Sequence, residues 1–331
     1  MWSGVNKKVT GLVAGVGMAA VGAVTVSAAA YASTKLLVRV ALDRQQPRIP
    51  YMDKAARKLR GYENCQTLLD AMAAGAERLE TTPHRTVQMQ SYDGQTLVGH
   101  WFTVPSPKRV IVAMHGWRSS WSGDFGMIAP FWLEQQCNVL FAEQRGQGSS
   151  GGACMGFGMM ERHDCLEWAR WVCKHISREI PIYLAGVSMG ASTVLMASEL
   201  ELPPNVKGIM ADCGFTSAHD IFKHVANNNL HLNYALCGGF AESLCRKKLH
   251  MGTKACTTVQ ALKNAKVPVL FAHGTLDHFV PVEMTYANYQ ACATPKSLVI
   301  VPGADHGMSY LMEKARYEEA ILDFWKKYDE G

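Results

Sequence analysis

Ser188 stands between two glycines in Gly186-Val187-Ser188-Met189-Gly190, a G-x-S-x-G sequence. The apolar run Ile182-Tyr183-Leu184-Ala185 precedes it, and the small, helix-compatible run Ala191-Ser192-Thr193-Val194-Leu195 follows it. A strand that turns so abruptly into a helix leaves no room for side chains at the two glycine positions and holds the serine hydroxyl above the sheet edge. Ser188 is therefore a candidate nucleophile. A serine hydroxyl is a poor nucleophile at neutral pH, so the chemistry also needs a base, a group that orients the base, and donors for an oxyanion.

All three are present in the chain. Val267-Pro268-Val269-Leu270-Phe271-Ala272 reads as a buried strand running into His273-Gly274-Thr275-Leu276-Asp277, which puts Asp277 in a loop at the strand's carboxyl end. The short strand Ser297 to Val301 runs into Pro302-Gly303-Ala304-Asp305-His306-Gly307, and His306 is the natural base. Upstream, Arg109 to Met114 leads into His115-Gly116-Trp117. Gly116 lets the backbone approach a substrate, so the Trp117 and Met189 N–H groups form the expected oxyanion hole. Met189 also opens a helix, whose dipole favours negative charge at that end.

The order Ser188, Asp277, His306, each after a strand, resembles the α/β-hydrolase superfamily from about Thr86 to the C-terminus. Phe141-Ala142-Glu143-Gln144-Arg145-Gly146-Gln147-Gly148-Ser149 is similar to a family loop usually written Asp-x-Arg-Gly-His-Gly-x-Ser. Glu143 and Gln147 depart from it, and neither departure is expected to touch a catalytic role. Ala211 to Ser217, and Glu161-Arg162-His163-Asp164 followed by Trp168, resemble bacterial, often membrane-anchored members described as esterase-like or lysophospholipase-like. The resemblance implies acyl transfer through an acyl-enzyme. Ser188 attacks a carbonyl, His306 moves the proton, Asp277 fixes the imidazole, and a carboxylic ester is the leading substrate class. Peptidase, amidase or thioesterase action with the same residues is the alternative, and a non-catalytic binding protein on this fold is a third.

Other residues compete for these roles. Asp212 follows an earlier strand and is a second candidate to orient the imidazole, Asp305 is expected to point away from His306, and His115 to close the oxyanion loop. His273 and His278 flank the acid and are expected to be exposed loop histidines. No His-Glu-x-x-His, Cys-x-x-Cys or P-loop is present, so no metal or cofactor is expected. The charge of +5 is spread along the chain, which speaks against a nucleic-acid partner.

These residues need a scaffold, and the periodicity supplies one. Arg85–Ser91 and Thr96–Phe102 alternate around Asp93-Gly94, a hairpin signal. Apolar runs follow at 109–114, 138–142, 182–185, 206–211, 267–272 and 297–301, separated by segments long enough for helices. This predicts an α/β fold with a mostly parallel central sheet flanked by helices. Glu161–His175 and Tyr310–Tyr328 are helix candidates. The catalytic domain is expected over 85–331, with a small helical cap at about 214–262 shaping the substrate pocket.

Lys7-Lys8 precede Val9 to Thr34, a stretch with no charged residue. It exceeds the ~20 residues that cross a bilayer and the about 7–15 of a signal core. Residues 1–34 therefore read as a retained transmembrane anchor, with a signal cleaved at Ala30-Tyr31-Ala32 as the alternative. Lys35, Arg39, Arg44 and Arg48 favour a cytoplasmic enzyme by the positive-inside rule, as do ten cysteines without framework spacing. A signal-like start favours the other side. Residues 35–84 read as a helical connector, with one or two helices over Met52–Glu80 broken near Gly61. The expected partners are the membrane and a small-molecule or lipid-like ester.

Overall fold

The computed structural model describes residues 30–45 and 66–329. The sequence-predicted anchor lies almost wholly outside the described residues, as does the break near Gly61. No described helix is long and apolar enough to cross a membrane.

Eight strands form one sheet: β1 (Arg85–Gln90), β2 (Thr96–Phe102), β3 (Arg109–Met114), β4 (Cys137–Ala142), β5 (Ile182–Val187), β6 (Val206–Asp212), β7 (Val269–Gly274) and β8 (Lys296–Val301), in the order β1-β2-β4-β3-β5-β6-β7-β8. The β1–β2 hairpin pairs antiparallel, closing on Gly94 at φ 81°, and β2 meets β4 antiparallel. All later pairs are parallel. Every residue of β4 is buried, as are the last five of β3. Strands covered on both faces read as continuous apolar runs, which is why these segments stand out in the sequence.

Two cores lie on opposite faces of the sheet. One gathers Phe125, Trp132, Phe141, Tyr183 and Trp325. The other gathers Trp101, Leu140, Trp168, Leu184 and Phe271. The helix at Glu161–His175 matches its predicted bounds and buries Cys165, Trp168, Ala169 and Val172. The C-terminal helix does not run unbroken from Tyr310. Ser309–Met312 ends at Glu313, whose backbone (φ −129°, ψ 50°) leaves the helical region, and Lys314–Tyr328 begins anew.

Residues 214–262 are mainly helical. Ala218–His224 runs into a π-turn at Val225–Asn229, followed by Tyr234–Leu249 and Thr258–Lys263. A further helix at 30–42 lies against them. Its Val38 and Leu42 share a third apolar cluster with Met189, Phe215, Ile221, Leu244 and Phe279. The described helix at 30–42 thus packs against the helices of 214–262. The helix at Gln66–Thr81 follows the second undescribed stretch and covers Leu79 against the first core.

Candidate active site

The chain passes from β3 to β4 on one side and returns to β5 on the other side of β3. The carboxyl ends of β3 and β5 are therefore neighbours, with Met114 opposite Gly186. Such a switch point opens a crevice between the two following loops. Ser188 occupies it at φ 55°, ψ −117°, a backbone strained for any residue but glycine. The flanking glycines are obligatory. A Cβ at Gly190 would stand 1.8 Å from the Met114 carbonyl oxygen, and one at Gly186 2.3 Å from the Gly190 backbone. The Ser188 N–H donates to the Asp212 carbonyl at 2.9 Å, locking the turn to β6.

The loops after β7 and β8 bring the remaining polar groups in. Ser188 Oγ lies 2.9 Å from His306 Nε2, and His306 Nδ1 lies 2.7 Å from Asp277 Oδ2. With Nδ1–H donating to the carboxylate, Nε2 is left to accept the serine proton. The other Asp277 oxygen accepts the Phe279 and Val280 N–H groups at 2.9 and 2.7 Å. Burial opposes ionisation of Asp277. The His306 and His273 imidazoles and their hydrogen bonds outweigh it and hold the carboxyl below the usual carboxylate range.

His273 departs from expectation. It is fully buried, because β7 extends through it instead of ending at Ala272. Its Nε2–H faces Asp277 Oδ2 at 3.0 Å and the Val280 carbonyl at 2.9 Å, while Nδ1 accepts from the Thr285 hydroxyl at 2.6 Å. Asp277 thus sits between two imidazoles. The sequence signal was the apolar run leading into His273, four residues before the acid.

Gly116 carries the loop after β3 close to the nucleophile, its would-be Cβ 3.3 Å from Ser188 Cβ. Its N–H donates to Asp124 Oδ2 at 2.6 Å, and Ser119 Oγ donates to Oδ1 of the same carboxylate. The Arg118 N–H donates to Gln147 Oε1 at 2.6 Å. Gln147, one of the two departures from the family pattern, therefore braces this loop. Met189 opens the helix Met189–Ala197, where the first N–H groups lack intrahelical acceptors.

The loop is also tied to the helix at 30–42. Trp117 Nε1–H donates to the Ala41 carbonyl at 2.8 Å, and the Arg118 guanidinium donates to the carbonyls of Val40 and Asp43, each at 2.6 Å. These carbonyls end a helix and lack partners within it. Burial pushes Arg118 down to about 10, with Asp43 opposing the shift.

The other candidates fall outside the Ser188–His306–Asp277 contacts. Asp212 accepts from Ser309 Oγ at 3.0 Å and Tyr317 OH at 3.2 Å, and burial raises it above the usual carboxylate range. Asp305 turns away, accepting the His306 N–H at 2.8 Å and lying 3.4 Å from the exposed His278. Buried His115 accepts the Gln144 N–H at 3.1 Å and closes the loop. Cys213 brings its sulfur within 4.8 Å of ligand-type atoms of Asp277 and His306. Burial holds its thiol well above the ordinary range.

Residues 127–330 match the model of the prolyl oligopeptidase family. Among curated proteins, the chain is 24% identical over 192 residues to the uncharacterized protein YqkD of Bacillus subtilis, covering 58% of this chain and 63% of that one. It thus spans less than two thirds of that relative. It is also 24% identical over 249 residues to the uncharacterized protein YfhR of Escherichia coli, covering 72% of this chain and 79% of that one. Among solved structures, the Pyrococcus furiosus esterase Pf2001 superposes with a TM-score of 0.60 at 19% identity, over 74% of this chain and 91% of that chain. The esterase RhEst1 of Rhodococcus gives 0.55 at 17% identity, over 73% and 99%. A puromycin-hydrolyzing peptidase of Mycobacterium tuberculosis gives 0.56 at 17%, over 74% and 39%.

Proposed function

Because this chain belongs to the prolyl oligopeptidase family and is a serine hydrolase of the α/β-hydrolase fold, we propose that it hydrolyses carboxylic esters through an acyl-enzyme on Ser188. The observation that carries the reading is the continuous run of contacts from Ser188 Oγ through His306 to Asp277, at 2.9 and 2.7 Å. In this mechanism Ser188 attacks the carbonyl while His306 Nε2 takes its proton and returns it to the leaving alcohol. Water then attacks the acyl-serine with His306 again as base. The Trp117 and Met189 N–H groups hold the oxyanion, each worth about 10²–10³ in turnover.

The cleft at Ser188 favours an ester with an apolar acyl group. Met72, Trp117, Val187 and Phe279 line it. Its one carboxylate besides the triad, Asp124, is already committed to Gly116 and Ser119. Among the described lining residues, none is left to pair with the ammonium end of a short peptide. A peptidase is the second reading, supported by the family's description and by the peptidase among the fold neighbours. The proposal places the hydrolase domain over 85–331, with a cap at about 214–262 over the site. It places the enzyme at a membrane through residues 1–34, on the strength of the uncharged stretch from Val9 to Thr34.

A fluorophosphonate probe tests the chemistry without a guess at the substrate. Labelling of the wild type that vanishes in Ser188→Ala is expected, and an unlabelled folded wild type would sink the reading. Comparing p-nitrophenyl esters with peptide p-nitroanilides then decides between esterase and peptidase.

A further inference from the structure

The geometry points to a second membrane contact, on the cap, that lays the N-terminal end of the helix Tyr234–Leu249 into the bilayer interface. It rests on the reading of the N-terminal segment as an anchor. Among the described residues the helix at 30–42 begins at Ala30, which follows directly in sequence on residues 9–29 of the uncharged stretch Val9 to Thr34. Two contacts fix how the cap helix lies along it. The Tyr31 and Phe240 rings meet edge-on at 5.5 Å, and Lys248 Nζ reaches Asp43 Oδ1 at 2.5 Å. Residue 31 thus pairs with 240 and residue 43 with 248, and the two helices run side by side in the same direction. The start of the cap helix therefore lies at the Ala30 end of its neighbour.

At that end the chain exposes large apolar side chains with no evident role in the fold. Leu236 is 71% exposed, Tyr31 43%, and Leu36 and Leu232 40% each. At a rise of about 1.5 Å per residue, Leu236 stands about 6 Å beyond Phe240 on the Ala30 side. Behind this apolar tip comes a basic collar. Lys35 and Arg39 on one helix and Arg246, Lys247 and Lys248 on the other face two carboxylates, Glu242, which pairs with Arg246, and Asp43, which pairs with Arg39 and Lys248, leaving an excess of positive charge. An apolar end followed by exposed cations is the pattern of a surface that enters the acyl boundary and meets anionic headgroups. The partner is thus an anionic phospholipid bilayer, and the cap over Ser188 is pressed against it.

The full-length chain, reconstituted in phosphatidylcholine–phosphatidylglycerol vesicles containing a phospholipid with a diazirine-bearing acyl chain, tests this by irradiation and peptide mapping. Adducts are expected both within 9–29 and on the peptides carrying Tyr31, Leu232 and Leu236. In Leu232→Asp/Leu236→Asp the cap adducts should disappear while hydrolysis of p-nitrophenyl acetate is unchanged. Adducts within 9–29 alone would overturn the cap contact and leave the anchor standing. Adducts at neither place would overturn both.

Discussion

Asp277 is held by more than its partner in the candidate triad. Two imidazoles and two backbone N–H groups converge on one buried carboxylate. Its folded pKa lies below the unfolded value, so its stabilisation is complete at neutral pH and is lost as pH falls below about 4. Urea midpoints should therefore show wild type more stable than Asp277→Asn at pH 7, with the gap closing toward pH 3. A gap independent of pH would contradict the assignment. The same variant should lose about 10⁴ in kcat, since Asn favours the wrong tautomer of His306. His273→Phe removes one donor without touching His306. A kcat lowered by about tenfold with KM unchanged is the expected result, the size of a lost hydrogen bond to a charged group. Ser188, Asp277 and His306 were legible because each follows an apolar run in the order the fold requires. His273 was misjudged because a strand end and a loop start differ by two residues, and burial turns on that difference. The brace from Gln147 was not legible because its partner, the Arg118 N–H, lies 29 positions away and has no sequence signature.

At the scale of elements, the elbow depends on the absence of one atom. Met114 ends β3 and Gly190 lies in the helix Met189–Ala197 that follows the adjoining β5, and backbone cannot step aside as a flexible side chain can. Gly190→Ala should destabilise the fold by roughly 3 kcal/mol or more, read as a fall in thermal midpoint. An alanine variant with unchanged stability would mean that the turn is looser than described. The strands were readable because β3 to β7 are covered on both faces. The hairpin was readable because Asp93-Gly94 fits its turn. Asp93 also pairs with buried Arg145 at 2.8 Å, and Arg145 in turn with Asp164 at 2.6 Å, a tie from the hairpin to the helix Glu161–His175. No periodicity encodes such a tie. Nor could periodicity find the break at Glu313, because Tyr310 on one side and Tyr317, Ile321 and Phe324 on the other fall at helical spacing.

For the whole molecule, the segment before the hydrolase fold is part of the site's framework. Sequence alone made residues 35–84 a connector, since packing against a distant cap leaves no local pattern. The structure ties the loop after β3 to the carbonyls of Val40, Ala41 and Asp43. A chain starting at residue 30 should keep its turnover of p-nitrophenyl acetate. One starting at residue 46 should lose about 10²-fold, the cost of a misplacement on the order of 1 Å in a catalytic group. Equal rates would show the loop to be self-supporting. The position of a cut thus decides what a protease would accomplish. On the proposed anchor and activity, cleavage ahead of residue 30 would shed a working enzyme into solution, whereas cleavage after residue 45 would silence it, so release and inactivation would be separate fates set by about fifteen residues of chain.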